Sequence, residues 1–111
     1  MGEDFLVVTT ENVPGYRVKR VLGLVSASTV RAKHIGKDIK AAFKNIIGGE
    51  ISDYTELLAE SRETALRRLV DKAMKMGANA VLGARLSTAQ LAAGAAEILV
   101  YGTAVVLERM E

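Results

Sequence analysis

An α+β fold in a single domain spanning 1–111 is the prediction, and three observations carry it. Short β-branched or doubly apolar runs lie toward both ends of the chain. Between them sits one long amphipathic stretch with strong start and stop signals. The whole is 111 residues, half of them apolar and a quarter charged, which suits one globular core and is too little for two.

The elements follow in order. Phe5–Thr10 is β-branched and short, and Asn12-Val13-Pro14-Gly15 ends it with turn chemistry. Pro14-Gly15 suits the centre of a type II turn, where proline presets φ and glycine accepts a positive φ. A second strand is expected from about Tyr16 to Ala32. It alternates at first, then becomes apolar on both faces through Val21-Leu22-Gly23-Leu24-Val25, with Gly23 marking a bulge or a close backbone approach. Residues 37–47 carry Ile39, Ala42, Phe43, Ile46 and Ile47 on one helical face, predicting a short helix stopped by Gly48-Gly49.

A long helix is predicted from about 53 to 76. Asp53 with Glu56 reads as a capping box, and Leu57, Leu58, Ala65, Leu66, Leu69, Val70, Ala73 and Met74 make its apolar stripe. Gly77 closes it. Glu56, Glu60 and Glu63 lie toward its start, and Arg67, Arg68, Lys72 and Lys75 toward its end, complementing the helix dipole. Glu63–Arg67 and Asp71–Lys75 stand at i,i+4. Strands are expected at Ala80–Thr88 and Ile98–Glu108, the latter apolar on both faces, with small residues 89–96 between them. The order is β-β-α-α-β-β, in a mostly antiparallel sheet.

Composition excludes several functional classes. Without cysteine there are no disulfides, thiolate metal ligands or cysteine nucleophiles. Fifteen basic against thirteen acidic residues leave a charge of only +2, too small an excess for a dedicated nucleic-acid binder. No apolar run reaches membrane-spanning length, and no signal peptide is visible at the N-terminus, so a cytoplasmic location is expected. With only five aromatic residues and no tryptophan, the core must be aliphatic. The nearly continuous apolarity from Ala78 to Leu107 exceeds what a small lone domain hides, which argues for burial between subunits.

Candidate sites are few. His34 is the single histidine, with no second histidine or cysteine to complete a transition-metal site. The row Glu56, Glu60, Glu63 suits a hard cation in principle, yet a solvated helix start explains it. Gly48-Gly49 before a helix lacks the lysine of a P-loop, and Gly83-Ala84-Arg85 lies within a strand rather than opening a helix. Ser26, Ser28 and Thr29 have no recognisable base. Five cations from Arg31 to Lys44 face five acids from Glu50 to Glu63 along the chain, a pattern able to orient a head-to-tail assembly.

Taken together, several stretches carry a resemblance. These are Gly23-Leu24-Val25-Ser26, Lys37-Asp38-Ile39 with Phe43, Ile46-Ile47-Gly48-Gly49, Tyr54, Glu63-x-Ala65-Leu66, Gly77-Ala78-Asn79-Ala80-Val81 and Gly102-Thr103-Ala104-Val105-Val106. In this order they resemble the YbjQ or UPF0145 family, also labelled a heavy-metal-binding domain. The resemblance implies a β-α-β-β core similar to the dodecin-like folds, a ring-shaped homopentamer, and no established activity. One departure is Ala84-Arg85-Leu86-Ser87-Thr88, where family members commonly carry an acidic-aromatic stretch.

The expected function is therefore a non-enzymatic, homopentameric binding or scaffold protein holding a small ligand or ion between subunits. Lys37, Asp38 and Arg62 are the candidate ligand-binding residues. No catalytic residue, metal ligand or cofactor is assigned, and neither nucleic acid nor membrane is expected as a partner. The alternative is an enzyme with an inter-subunit site for a small anionic substrate, and metal binding stands third.

Overall fold

A computed structural model describes residues 5–32, 52–92 and 95–111. The described elements are β1 (Leu6–Val7), β2 (Tyr16–Ala32), α1 (Ser52–Lys75), β3 (Ala80–Ala92) and β4 (Ala95–Arg109). The expected short helix at 37–47, His34 and the glycine pair 48–49 fall outside the described residues.

The strands form one open four-stranded sheet in the order β1-β3-β4-β2. β1 runs parallel to β3, while β4 pairs antiparallel with β3 and β2, so the sheet is mostly antiparallel as expected. β1 is shorter than the 5–10 run suggested. Its continuation still bonds β3: the Val8 amide donates to Val81 O at 3.0 Å, and the amides of Gly83 and Ala84 donate to Thr10 O and Val8 O. Two consecutive amides facing the same way require the bulge that Gly83 provides, with φ at +63°.

Local chemistry accounts for the turns. The Tyr16 amide donates to Val13 O at 3.0 Å and Gly15 has φ +87°, as a type II turn around Pro14-Gly15 demands. The β2–β4 register shifts between Val18 and Arg20 and between Val21 and Gly23, placing the bulge where Gly23 marked it. At the end of α1, the Ala78 amide reaches Ala73 O at 3.0 Å and the Gly77 amide reaches Met74 O at 2.9 Å. That pair of bonds, with Gly77 left-handed, is a Schellman cap.

The helix boundary differs by one residue from the expectation. α1 begins at Ser52, one residue ahead of the start expected at about 53. A larger correction concerns 89–96. Rather than separating the last two strands, residues 89–92 and 95–96 extend them, with Ala89 opposite Glu97, Gln90 opposite Ala96 and Ala92 opposite Ala95. Small residues have weak strand preference of their own, and here the long β2–β4 ladder supplies the template.

α1 packs one side into a single sheet face. Ala65, Leu69 and Ala73 are fully buried against Val25, Ala27, Ile98, Val100 and Ala104, an aliphatic core with no fully buried aromatic ring among the described residues. Of the predicted stripe, Met74 escapes to solvent. Among the described residues, the opposite sheet face is covered near one end. There Leu6, Val8, Val13 and Tyr16 lie over Ala80, Leu82, Val105 and Leu107. The molecule is elongated, 58 × 22 × 20 Å, with a radius of gyration of 17.5 Å where a compact chain of this length has about 13 Å.

Candidate functional site

The polar surface of interest lies along α1 and the edge of β2 beneath it. Because one helical side is committed to the sheet, the residues between the buried positions must point outward. They line two open grooves. The first, about 590 Å³, is bordered by Glu56, Ala59, Glu60, Glu63, Thr64 and Arg67. The second, about 350 Å³, lies between helix and strand and is bordered by Ala27, Ser28, Arg68, Asp71, Lys72 and Lys75.

In the first groove the carboxylates stay solvated, and Arg67 turns to Thr64 Oγ1 at 3.5 Å instead of pairing with Glu63. Asp71 and Lys75 likewise stand at i,i+4 without closing an ion pair. From the basic block, Arg31 Nη2 donates to Thr64 Oγ1 at 3.3 Å, so β2 and the end of the acidic row meet within one subunit. Among the described residues, no group of three His, Cys, Asp or Glu is placed to hold a metal ion.

In the second groove the cations are engaged with backbone. Arg68 Nη1 donates to Ser28 O at 2.9 Å and Lys72 Nζ to Ser26 O at 2.8 Å. β2 is the outermost strand, so these are open-edge carbonyls, and two helix cations cover them. The sequence placed Arg68 and Lys72 toward the C-terminal end of α1, which accounts for a favourable dipole interaction but not for this second role. The Ser26, Ser28 and Thr29 hydroxyls form no nucleophilic arrangement. Thr29 Oγ1 is buried and donates to Ser61 O at 3.1 Å, joining strand to helix.

Of the three candidate ligand residues, Lys37 and Asp38 lie outside the described residues. Arg62 is exposed on α1, directly after fully buried Ser61. Asn79 was not singled out as a polar anchor, yet it acts as one. Its Nδ2 donates to Leu107 O at 2.9 Å, and its Oδ1 accepts the Leu107 amide at 2.7 Å. The side chain thereby replaces a strand's backbone pairing just before β3 begins. Arg85 acts similarly at the other end of β1, donating to Thr9 O at 2.9 Å.

One exposed ion pair joins the ends of β2 and β4, Arg17 Nη2 to Glu108 Oε1 at 2.8 Å. The hydrogen bond from Arg17 holds the Glu108 carboxyl below the usual glutamate range, aided by the charges of Arg17 and Lys19 and opposed by burial. No helix among the described residues is long and apolar enough to cross a membrane.

Comparison with known proteins places this geometry. The family profile described as "Putative heavy-metal-binding" matches residues 5–108. A UPF0145 protein of Clostridium perfringens is 57% identical over 103 residues, covering 93% of this chain and 97% of its own length. One from Thermotoga petrophila is 56% identical over 105 residues, covering 95% and 99%. One from Thermus thermophilus is 57% identical over 105 residues, covering 95% and 92%. A crystal structure from Pediococcus pentosaceus, a protein of unknown function in the DUF74 family, superposes with a TM-score of 0.67 at 17% identity, over 94% of this chain and 98% of that one. That likeness establishes the α+β fold. The metal in the family description finds a poor fit in this chain's donors, which include no thiolate and one imidazole. Matched along almost its whole length, the chain belongs to the YbjQ or UPF0145 family.

Proposed function

We propose that this chain is the subunit of a homo-oligomeric ring, a homopentamer by family resemblance, serving as a binding or scaffold protein rather than an enzyme. Exposed large apolar side chains are the observation that supports it: among the described residues Leu24 is 74% and Val21 64% exposed, with Val30, Leu86 and Leu91 exposed as well. In this reading Lys37, Asp38 and Arg62 serve a small ligand or ion held between subunits, with exposed Arg62 available for an anionic group.

The test is native mass spectrometry of untagged protein purified without chelator. A pentamer with a reproducible extra mass, lost in Arg62→Ala, is the expected result for a ligand-holding ring. A bare pentamer would remove the ligand and leave the scaffold. A monomer at all concentrations would overturn the assembly.

A further inference from the structure

The groove between α1 and β2 gathers more positive charge than its structural role uses. Arg68, Lys72 and Lys75 stand at i, i+4 and i+7 on α1, and with Asp71 they fill a helical sector about 100° wide. All four are exposed and border the same groove of about 350 Å³. On β2 the groove is bordered by two small residues, Ala27 and Ser28, so the strand leaves the space beside the cations open.

Covering the Ser26 and Ser28 carbonyls takes one hydrogen bond from Lys72 and one from Arg68. An ammonium has three N–H donors and a guanidinium five, so most of their donors remain for another partner. Lys75 makes neither a hydrogen bond nor an ion pair among the described residues. Asp71 is the one carboxylate bordering the groove, and none of the three cations closes an ion pair with it. Three cations against one carboxylate leave the groove with a net charge of +2. The carbonyl bonds also hold Arg68 and Lys72 in place, so part of the ordering cost of binding is already met in the free protein.

We propose that this groove binds a small phosphomonoester whose carbon skeleton carries hydroxyl groups. Such a group bears about −1.5 to −2 charge near neutral pH and offers three acceptor oxygens, which suits the groove's charge and its three cations. Arg68 supplies the planar fork that matches phosphate oxygens, and the lysines act as point charges. Asp71 repels the phosphoryl oxygens but accepts hydrogen bonds from hydroxyls on the skeleton. No aromatic residue borders the groove, so a nucleobase finds no stacking platform there. Its volume stands near the lower end of ligand clefts, roughly 300–1,000 Å³, which favours a skeleton of a few carbons. The site is independent of the assembly, because every bordering residue belongs to one subunit and Arg62 is not among them.

The test titrates the full chain in its native assembly, at constant ionic strength, with glycerol 3-phosphate, inorganic phosphate and sulfate. Calorimetry and the rise in melting temperature read the binding. The expected order is glycerol 3-phosphate at least fivefold tighter than phosphate, and phosphate tighter than sulfate. Glycerol 3-phosphate should bind more tightly as pH rises through about 6, where phosphomonoesters lose their second proton. Lys75→Gln should weaken it at least fivefold with an unchanged circular-dichroism melt, and Lys75→Arg should restore it. Asp71→Asn should keep the affinity for phosphate and lose the preference for glycerol 3-phosphate. If Lys75→Gln fails to fold, the ligand order and the pH dependence of the wild type decide. Equal affinity for sulfate and glycerol 3-phosphate would mean an adventitious ion only, and overturns the site. So does a folded Lys75→Gln that binds as the wild type does, or no binding at millimolar ligand. A short single-stranded DNA that binds more tightly than glycerol 3-phosphate overturns the small-ligand assignment. Each of these failures leaves the oligomer reading intact, since that reading is tested by mass.

Discussion

Replacing Gly102 by alanine probes the closest packing in the sheet. Gly102 lies on β4 beside β3. A Cβ built there would sit 2.5 Å from Val81 Cγ1, 3.0 Å from Leu82 O and 3.3 Å from the Ala84 Cα. Carbon atoms in favourable contact are about 3.5–4.0 Å apart. Val81 is fully buried and β-branched, so it has little freedom to turn away, and the other two atoms are backbone. Overpacking of this kind costs about 1–3 kcal/mol. Restricting the unfolded chain returns roughly 0.4–1 kcal/mol. The expected net loss is about 1–2 kcal/mol, or roughly 4–8 °C in Tm for a chain of this size. Thermal melts at one fixed protein concentration measure it, because assembly makes Tm depend on concentration. Adding Val81→Ala removes the shortest contact, so the double variant should be more stable than the sum of the single effects. An unchanged or raised Tm in Gly102→Ala, or strict additivity in the double variant, would refute the packing argument.

Three further outcomes follow from the core and its ends. Leu69→Ala empties the centre of the helix–sheet interface and should cost about 2–5 kcal/mol in urea unfolding, with a near-neutral result contradicting its assigned place. Asn79→Ala deprives the Leu107 amide and carbonyl of both partners and should cost about 1–3 kcal/mol; Asn79→Ser, too short to span both groups, should recover little of it. Glu108 has a lowered pKa when folded, so its pairing with Arg17 stabilises the fold above the ordinary glutamate range and is lost as pH falls through the lowered value. Wild type and Glu108→Gln should therefore differ slightly at neutral pH and converge in acid, and a gap that widens in acid would contradict that sign.

The candidate site was legible only in part. Arg62 is exposed where an outward helical position should be, whereas Lys37 and Asp38 lie outside the described residues. Arg68 and Lys72 show the difficulty well. Their spacing along α1 is visible in the sequence, whereas the carbonyls they bond belong to residues 40 and 46 positions away. Asn79 is similar, because its partner Leu107 lies 28 residues further on.

What the sequence determined by itself were the features decided within a few residues. The type II turn at Pro14-Gly15, the bulge at Gly23, the length of α1 and its Schellman cap at Gly77 each follow from one or two side chains acting on their own backbone. The aliphatic character of the core was fixed by composition in the same way. Tertiary structure decided the rest. Residues 89–92 and 95–96 became strand because β4 pairs with both β3 and β2, and strand pairing outweighs the weak preferences of small residues. It also decided that β2 carries a protected edge, since protection depends on which strands are outermost and which helix residues reach them. Such neighbours are set by the whole fold, and no local pattern encodes them.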